Sequence, residues 1–371
     1  MIGADEVLEA VAAQQGRIRE TIAFVHAHPE LGHEEHECAA YLCETLAAGG
    51  LEVERGVAGM ETAFRATLHG SRPGRTVGFV CLYDAVAAVR PDGQTDAVHS
   101  CGHGPIAGAV TGAALTLAGL RDSLAGTVVV IGCPADEIHA PGTIARGGGK
   151  ALTAEAGLWD GVDAALYAHP EFIDTVSVES RWMRRATATV PGSRSLATAD
   201  DAPLHAAVAA LETARGEVPD DVMLERLEFD GDVEAGTGLV LRATFLVFAD
   251  EEADIETRLD ALRAALPDAT WAVGRLVEAV RPDERVTAAI AEAFHALGRD
   301  FVSDPPRLPF ATDFGNISRR CPAALIGVGR PGGWDFHTDE GAAQFASADG
   351  EDAAMTIANV LALAAASLVE L

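Results

Sequence analysis

Between Asp84 and Glu137 the chain gathers side chains that grip divalent cations. His99, Cys101 and His103 stand in the tract HSCGH, and the neighbouring carboxylates Asp136 and Glu137 close VVVIGCPADE. Imidazoles, an ionisable thiol and carboxylates are the donor set for zinc and related ions. His169 and His337 follow later apolar runs. Two cations held this way lower the pKa of a shared water and polarise an amide carbonyl, while a nearby carboxylate moves the proton. That chemistry is hydrolysis at a dinuclear metal site. Each residue alone has a plainer reading. A single buried cysteine is usually a small hydrophobe, a loop histidine such as His169 or His337 is commonly a hydrogen-bonding surface residue, and Glu137 alone reads as a solvated carboxylate.

The elements around these residues favour the joint reading. Residues 5–27 have helical spacing, with Pro29 marking the end, and a second helix runs from about Glu35 to Ala48 before Gly49-Gly50. LEVERGV, TAFRATL and TVGFVCLY read as strands, the last apolar on both faces. A Gly/Ala-rich helix from His103 to about Leu120 precedes the strands TVVVIGC and DAALYA. Such alternation predicts an α/β fold with a mostly parallel sheet covered on both faces. Ligands in such sheets sit beyond the carboxyl ends of the strands, where Asp84, Asp136, Glu137, His169 and His337 all fall. His99, Cys101 and His103 share a parity, so a short extended stretch would aim all three to one side. Asp84 has another task available, since metal-binding histidines pass their second N–H to a carboxylate.

The pattern changes near Ser180. RWMRRATATV, a helix over 202–214, MLERLEFD, GLVLRATFLVF, a helix over 252–266 and ATWAVGRLV give the order βαββαβ of a ferredoxin-like sandwich. From Pro282 the α/β pattern resumes with a helix to Leu297, the strand AALIGVG and a closing helix from about Asp349. Residues 1–179 and 282–371 thus form one split domain, interrupted by an inserted domain over 180–281.

Composition narrows the partners. With 27 Lys+Arg against 56 Asp+Glu the formal net charge is -29, which repels phosphate backbones and anionic membrane surfaces. No nucleic-acid or membrane partner is expected. The six cysteines lack paired spacing, the N-terminus MIGADEVLEAVAAQQGR is acidic and amphipathic, and PIAGAVTGAALTLAGL is too short and Gly/Ala-rich for a membrane span. A cytoplasmic protein is the expectation. Lys150 is the only lysine among the basic residues and reads as compositional bias.

Other motifs fail. GTIARGGGKA has its lysine in the wrong register for a phosphate loop, with Ala151 in the Ser/Thr place; GVGRPG carries Pro331 and lacks a following helix; and there is no G-x-S-x-G elbow. His26, His28, His33 and His36 read as surface histidines around a helix-to-helix turn.

HPELGHEEH, ERGVAGMETAFRATL, HSCGHGPIAGA, IGCPADE, GGGKALTAEAG, VDAALYAHP, TDFGNIS and FHTDE together resemble the aminoacylase and carboxypeptidase family of metal-dependent amidohydrolases. Within it they are most similar to the p-aminobenzoyl-glutamate and indoleacetyl-amino-acid hydrolase branch. The resemblance implies a catalytic domain with two divalent ions, Zn or Mn, and a smaller domain that covers the site and forms a homodimer. It puts metal ligands at Cys101, His103, Glu137, His169 and His337, a ligand-orienting carboxylate at Asp84, and the general base at Asp136. The substrate it implies is a small N-acyl or N-aroyl amino acid or dipeptide-like amide.

The departures matter too. Asp136 stands where the family has glutamate, about 1.5 Å shorter in reach. Gly104 replaces an Asp or Asn, Leu196 stands where a histidine normally crosses the dimer, and VEAGTG lacks the asparagine that binds a substrate carboxylate. Arg194, His205, Arg319 and Arg320 are candidate substitutes. Such donors contribute about 2.7–4 kcal/mol in acyl transfer, so these losses keep open a second hypothesis: a family member that binds a ligand, or uses its metals, without hydrolysis.

Overall fold

The structure is a computed structural model describing residues 2–191, 221–230 and 240–370. It divides into two compact units, one of residues 1–179, 280–307 and 313–371 and the other of residues 180–279 and 308–312. The five-residue return, 308–312, is not announced by the sequence. A backbone hydrogen bond from Arg181 N–H to the Phe310 carbonyl, 3.2 Å, ties it to the smaller unit.

The larger unit begins with helices α1 (Ala4–Ala12), α2 (Gln15–Ala27) and α3 (His36–Ala48), then strands β1 (Glu52–Arg55), β2 (Phe64–His69) and β3 (Arg72–Cys81). The single helix expected over 5–27 is two, broken at Ala13-Gln14, with the nearby Gly16 already inside the first turn of α2. A hairpin of β4 (Val86–Val89) and β5 (Thr95–Val98) follows, then α4 (His103–Gly119), β6 (Ala125–Gly132), α5 (Pro141–Arg146), α6 (Gly149–Glu155) and β7 (Ala164–Glu171). The sheet runs β1-β2-β6-β3-β7, with a sixth strand from the last quarter of the chain, Ala323–Gly329, beside β7. β6, β3, β7 and that strand are mutually parallel, while β1 and β2 pair antiparallel. The carboxyl ends of four parallel strands therefore open on one edge.

In the smaller unit, β8 (Trp182–Pro191), β9 (Val222–Asp230), β10 (Val240–Ala249) and β11 (Thr270–Val277) form an antiparallel sheet in the order β11-β8-β10-β9. This is the ferredoxin-like arrangement. Ile255, Leu259 and Leu262 of α7 (Glu252–Ala265) pack on Phe245, Val247 and Trp182. The expected helix over 202–214 lies outside the described residues.

The larger unit closes with α8 (Glu284–Ala296), α9 (Phe314–Ser318), β12 (Ala323–Gly329), α10 (Asp339–Phe345) and α11 (Ala348–Leu368). α11 is long and apolar enough to cross a membrane, but two-thirds of its apolar window (67%) is buried against this unit's core, as befits a core helix. It packs on α4 and α2 and, together with α4, on β3 and β7. α4 is buried along nearly its whole length. Glycines let α2 approach it: a Cβ on Gly112 would lie 2.5 Å from Ile18 Cδ1.

Candidate metal centre

Each ligand candidate reaches the sheet edge by its own route. Asp84 lies three residues beyond β3, Glu137 five beyond β6, and His337 on the loop after β12. His169 belongs to β7 itself, so the strand runs past the Ala168 expected as its end. Cys101 and His103 are not on an extended stretch. Gly102 adopts a left-handed φ of 89° and His103 opens α4, so a turn into a helix brings the pair together. His99 shares their tract but not their cluster. It is buried and belongs to neither group of converging donors.

Two sets of three donors converge among the described residues: Cys101, His103 and His169, and Cys101, Glu137 and His337, each with all ligand atoms within 4.8 Å of one another. Cys101 is common to both. Its sulfur lies 3.7 Å from His169 Nε2 and 3.3 Å from His337 Nε2. Glu137 spans the cluster, with one oxygen 3.8 Å from His103 Nε2 and the other 3.9 Å from His337 Nε2.

The rings are held in the tautomer a cation needs. His103 Nδ1 contacts the Asp84 carbonyl at 2.7 Å and its carboxylate at 3.0 Å, and His169 Nδ1 contacts the Pro170 carbonyl at 2.7 Å. With Nδ1 as donor, each Nε2 keeps its lone pair for the cluster. Asp84 also accepts the Glu137 N–H, 2.8 Å, so one carboxylate holds both the His103 ring and the Glu137 backbone. His103 Nε2 and Glu137 Oε1 are buried without a hydrogen-bond partner. Unpaired buried polar atoms are costly, and donor atoms aimed at one point are what a divalent ion satisfies. The residues fit a metal pair.

Burial alone would lower His103, but the adjoining Asp84 carboxylate raises it well above its ordinary value, so a cation at Nε2 would take the place of a proton there. Burial, then the nearby Glu137, pushes the Cys101 thiol up to about 12. Burial, then the charge on His103, brings His169 down to about 3, leaving it neutral. Burial also raises Glu137. For Asp84, burial alone would raise the carboxyl, but the charge and hydrogen bond of His103 bring it below its ordinary value. A cation reverses the cost at the thiol, since a coordinating thiol is deprotonated. Beside the cluster, Glu137, His139 and His337 line a cavity of 430 Å³ with Val86, Ala88 and Arg90. The β4–β5 hairpin and His139 were not singled out by the sequence; His139 stands two residues past Glu137.

Asp136 is partly buried and turns one oxygen, Oδ2, toward His103 Nε2 at 3.4 Å. Its other oxygen contacts Lys150, which also pairs with Asp313 at 2.9 Å. Lys150 is thus no product of compositional bias alone. Its side chain is fully buried beside the site. Gly104 is different from expectation too: a side chain there would face Ile22 and Val25 of α2. Nor is His33 a surface residue, being buried with Nε2 2.9 Å from the Gly147 carbonyl. Arg319 and Arg320 are exposed just after α9. Leu196, Arg194, His205 and VEAGTG lie outside the described residues.

Comparison with known proteins accords with this geometry. The model of peptidase family M20/M25/M40 matches residues 82–366. Thermostable carboxypeptidase 1 of Saccharolobus solfataricus is 33% identical over 154 residues, 39% of this chain and 37% of that protein. An N-acyl-L-amino acid amidohydrolase of Geobacillus stearothermophilus is 30% identical over 152 residues, 39% of this chain and 38% of its own. The chain therefore spans little over a third of the curated relatives it matches. Among solved structures, a dinuclear metal binding peptidase from Bacillus subtilis superposes with a TM-score of 0.70 at 20% identity, covering 96% of this chain and 99% of the other. An aminobenzoyl-glutamate utilization protein from Klebsiella pneumoniae gives 0.69 at 16% identity, covering 99% and 98%. These likenesses establish the fold.

Proposed function

Because the chain belongs to peptidase family M20/M25/M40, we propose that it is a dinuclear metal-dependent amidohydrolase. Its substrate is a small N-acyl or N-aroyl amino acid, or a dipeptide-like amide. The observation that carries this reading is the sharing of Cys101 between two converging donor sets. His103 and His169 complete one site, Glu137 and His337 the other. Thiolate and imidazole donors suit zinc, and the carboxylate also admits manganese. When bound, such a pair supplies an acidified water and a Lewis acid for the amide carbonyl.

The chain's own residues do the rest. Asp84 orients His103 and the Glu137 backbone. Asp136 presents Oδ2 toward the cluster, where it takes a proton from the attacking water and returns it to the leaving amine. The adjacent 430 Å³ cavity is large enough to receive an acyl or aroyl group. The activities in the relatives' names favour hydrolysis over ligand binding alone.

A homodimer formed through the smaller unit is part of the same reading. It is supported by Met223, Leu224 and Leu227, apolar side chains exposed on β9 at the sheet edge. The cytoplasm is the proposed compartment, supported by six free cysteines, five of them buried. The test of the chemistry is Asp136→Asn. It is expected to cut kcat by about a hundredfold to ten-thousandfold on an N-acyl amino acid while metal content stays at the wild-type level. Undiminished turnover in that variant would remove Asp136 from the role.

A further inference from the structure

Lys150 is the only lysine in a chain whose other basic residues are arginines, and it is among the largest fully buried side chains. Buried cations persist only when paired. Here the ammonium touches Asp136 on one side and Asp313 on the other, 2.9 Å, and lies 5.1 Å from the centre of the Tyr167 ring. Asp313 is itself fixed, accepting the Ala151 N–H at 3.0 Å.

The local sequence is built for this placement. The triple glycine before Lys150 lets the chain lie against the loop that carries Asp136: a Cβ on Gly149 would collide with the Pro134 carbonyl, and one on Gly148 with the Asp313 carboxylate. The glycines thus serve a close approach of backbones, not a phosphate. A compact ammonium suits this enclosed place between two carboxylates, where a planar guanidinium would need more room.

We infer that Lys150 is a positioning residue that, anchored by Asp313, holds one oxygen of Asp136 and so keeps the other turned toward the metal ligands. This rests on the reading of Asp136 as proton acceptor and deepens it. An aspartate shorter than the family's glutamate has fewer rotamers that reach the reacting water, and the lysine fixes the one that does. The Lys150–Asp313 pair is then the partner of the shortened base.

The single lysine supplies a clean probe. Protein labelled with 13C at the lysine ε-carbon gives one lysine signal. Addition of Zn²⁺ to metal-free wild type is expected to shift it, and Asp136→Ala is expected to move the zinc-free signal and abolish the zinc response. An identical Lys150 signal in wild type and Asp136→Ala, both before and after zinc, overturns the inference. If calorimetry detects no zinc binding, the metal-site reading fails by itself, and the zinc-free comparison still decides the role of Lys150. In turnover, Lys150→Met and Asp313→Asn should each lower kcat by about a hundredfold, the effect of misplacing a catalytic group, with KM and metal content near wild type. Folded, metal-loaded Lys150→Met or Asp313→Asn protein with wild-type kcat overturns it as well. Asp313→Asn and the Asp136→Ala spectra keep the test decisive if Lys150→Met fails to fold.

Discussion

At the scale of residues, the site is a set of donors given their roles by their neighbours. His169 and His337 belong to different donor groups, so His169→Ala should cost the protein one ion per chain and His337→Ala the other, each read by elemental analysis. Glu35 makes a different prediction. It is completely buried, accepts the Ala135 N–H at 2.7 Å and the Thr62 hydroxyl at 2.8 Å, and burial, reinforced by Asp84, raises its carboxyl to about 8. The folded state therefore holds a proton that the unfolded state loses near the ordinary value of 4.5. Stability from this group is complete below that value and is lost as pH rises toward 8. Glu35→Gln should flatten the fall in melting temperature between pH 5 and 8; an unchanged slope contradicts it. The converging residues were legible because their types sit in short motifs, Glu137, His169 and His337 at or beyond strand ends and Cys101 and His103 in HSCGH. Lys150 and Glu35 were not, because their partners, Asp136 with Asp313 and Ala135 with Thr62, are distant in sequence and only folding brings them together.

At the scale of elements, backbone conformation places the side chains. Ala135 and His337 hold left-handed φ values of 59° and 60°, two of only four non-glycine residues to do so among those described. Such conformations cost about 1–3 kcal/mol and persist where surrounding contacts enforce them. At Ala135 the enforcing contact is Glu35, and at His337 it is the hydrogen bond from its N–H to the Ser100 carbonyl, 2.9 Å. The packing of α2 on α4 holds the turn that carries Cys101 and His103. Gly112→Ala forces a methyl group into Ile18 and should destabilise the protein by about 1–3 kcal/mol in denaturant unfolding. The long strands and helices were readable from apolar runs and glycine punctuation. The β4–β5 hairpin was missed because VAAV and TDAV are only four residues each and carry little alternation. The break between α1 and α2 was missed because the junction itself, Ala13-Gln14, is made of ordinary helix formers and Gly16 falls inside α2.

At the scale of the molecule, a formal charge of -29 favours cations near the surface and disfavours polyanionic partners. Metal binding to the folded larger unit adds stability in proportion to occupancy, about 2.7 kcal/mol at a hundred times the dissociation constant. Chelation should therefore lower the calorimetric melting temperature, and Zn²⁺ should restore it. The split of the chain into two units was legible from the change in element order near Ser180. The return of 308–312 to the smaller unit was not, because a five-residue segment without regular structure has no periodicity to read.

The most direct measurement is a calorimetric titration of chelator-stripped protein with Zn²⁺, paired with elemental analysis, in the wild type and in Cys101→Ala. Two equivalents per chain in the wild type, and loss of both in the variant that removes the shared sulfur, are the predicted results. No retained zinc in the wild type, or two equivalents in Cys101→Ala, would contradict a metal pair joined through that residue.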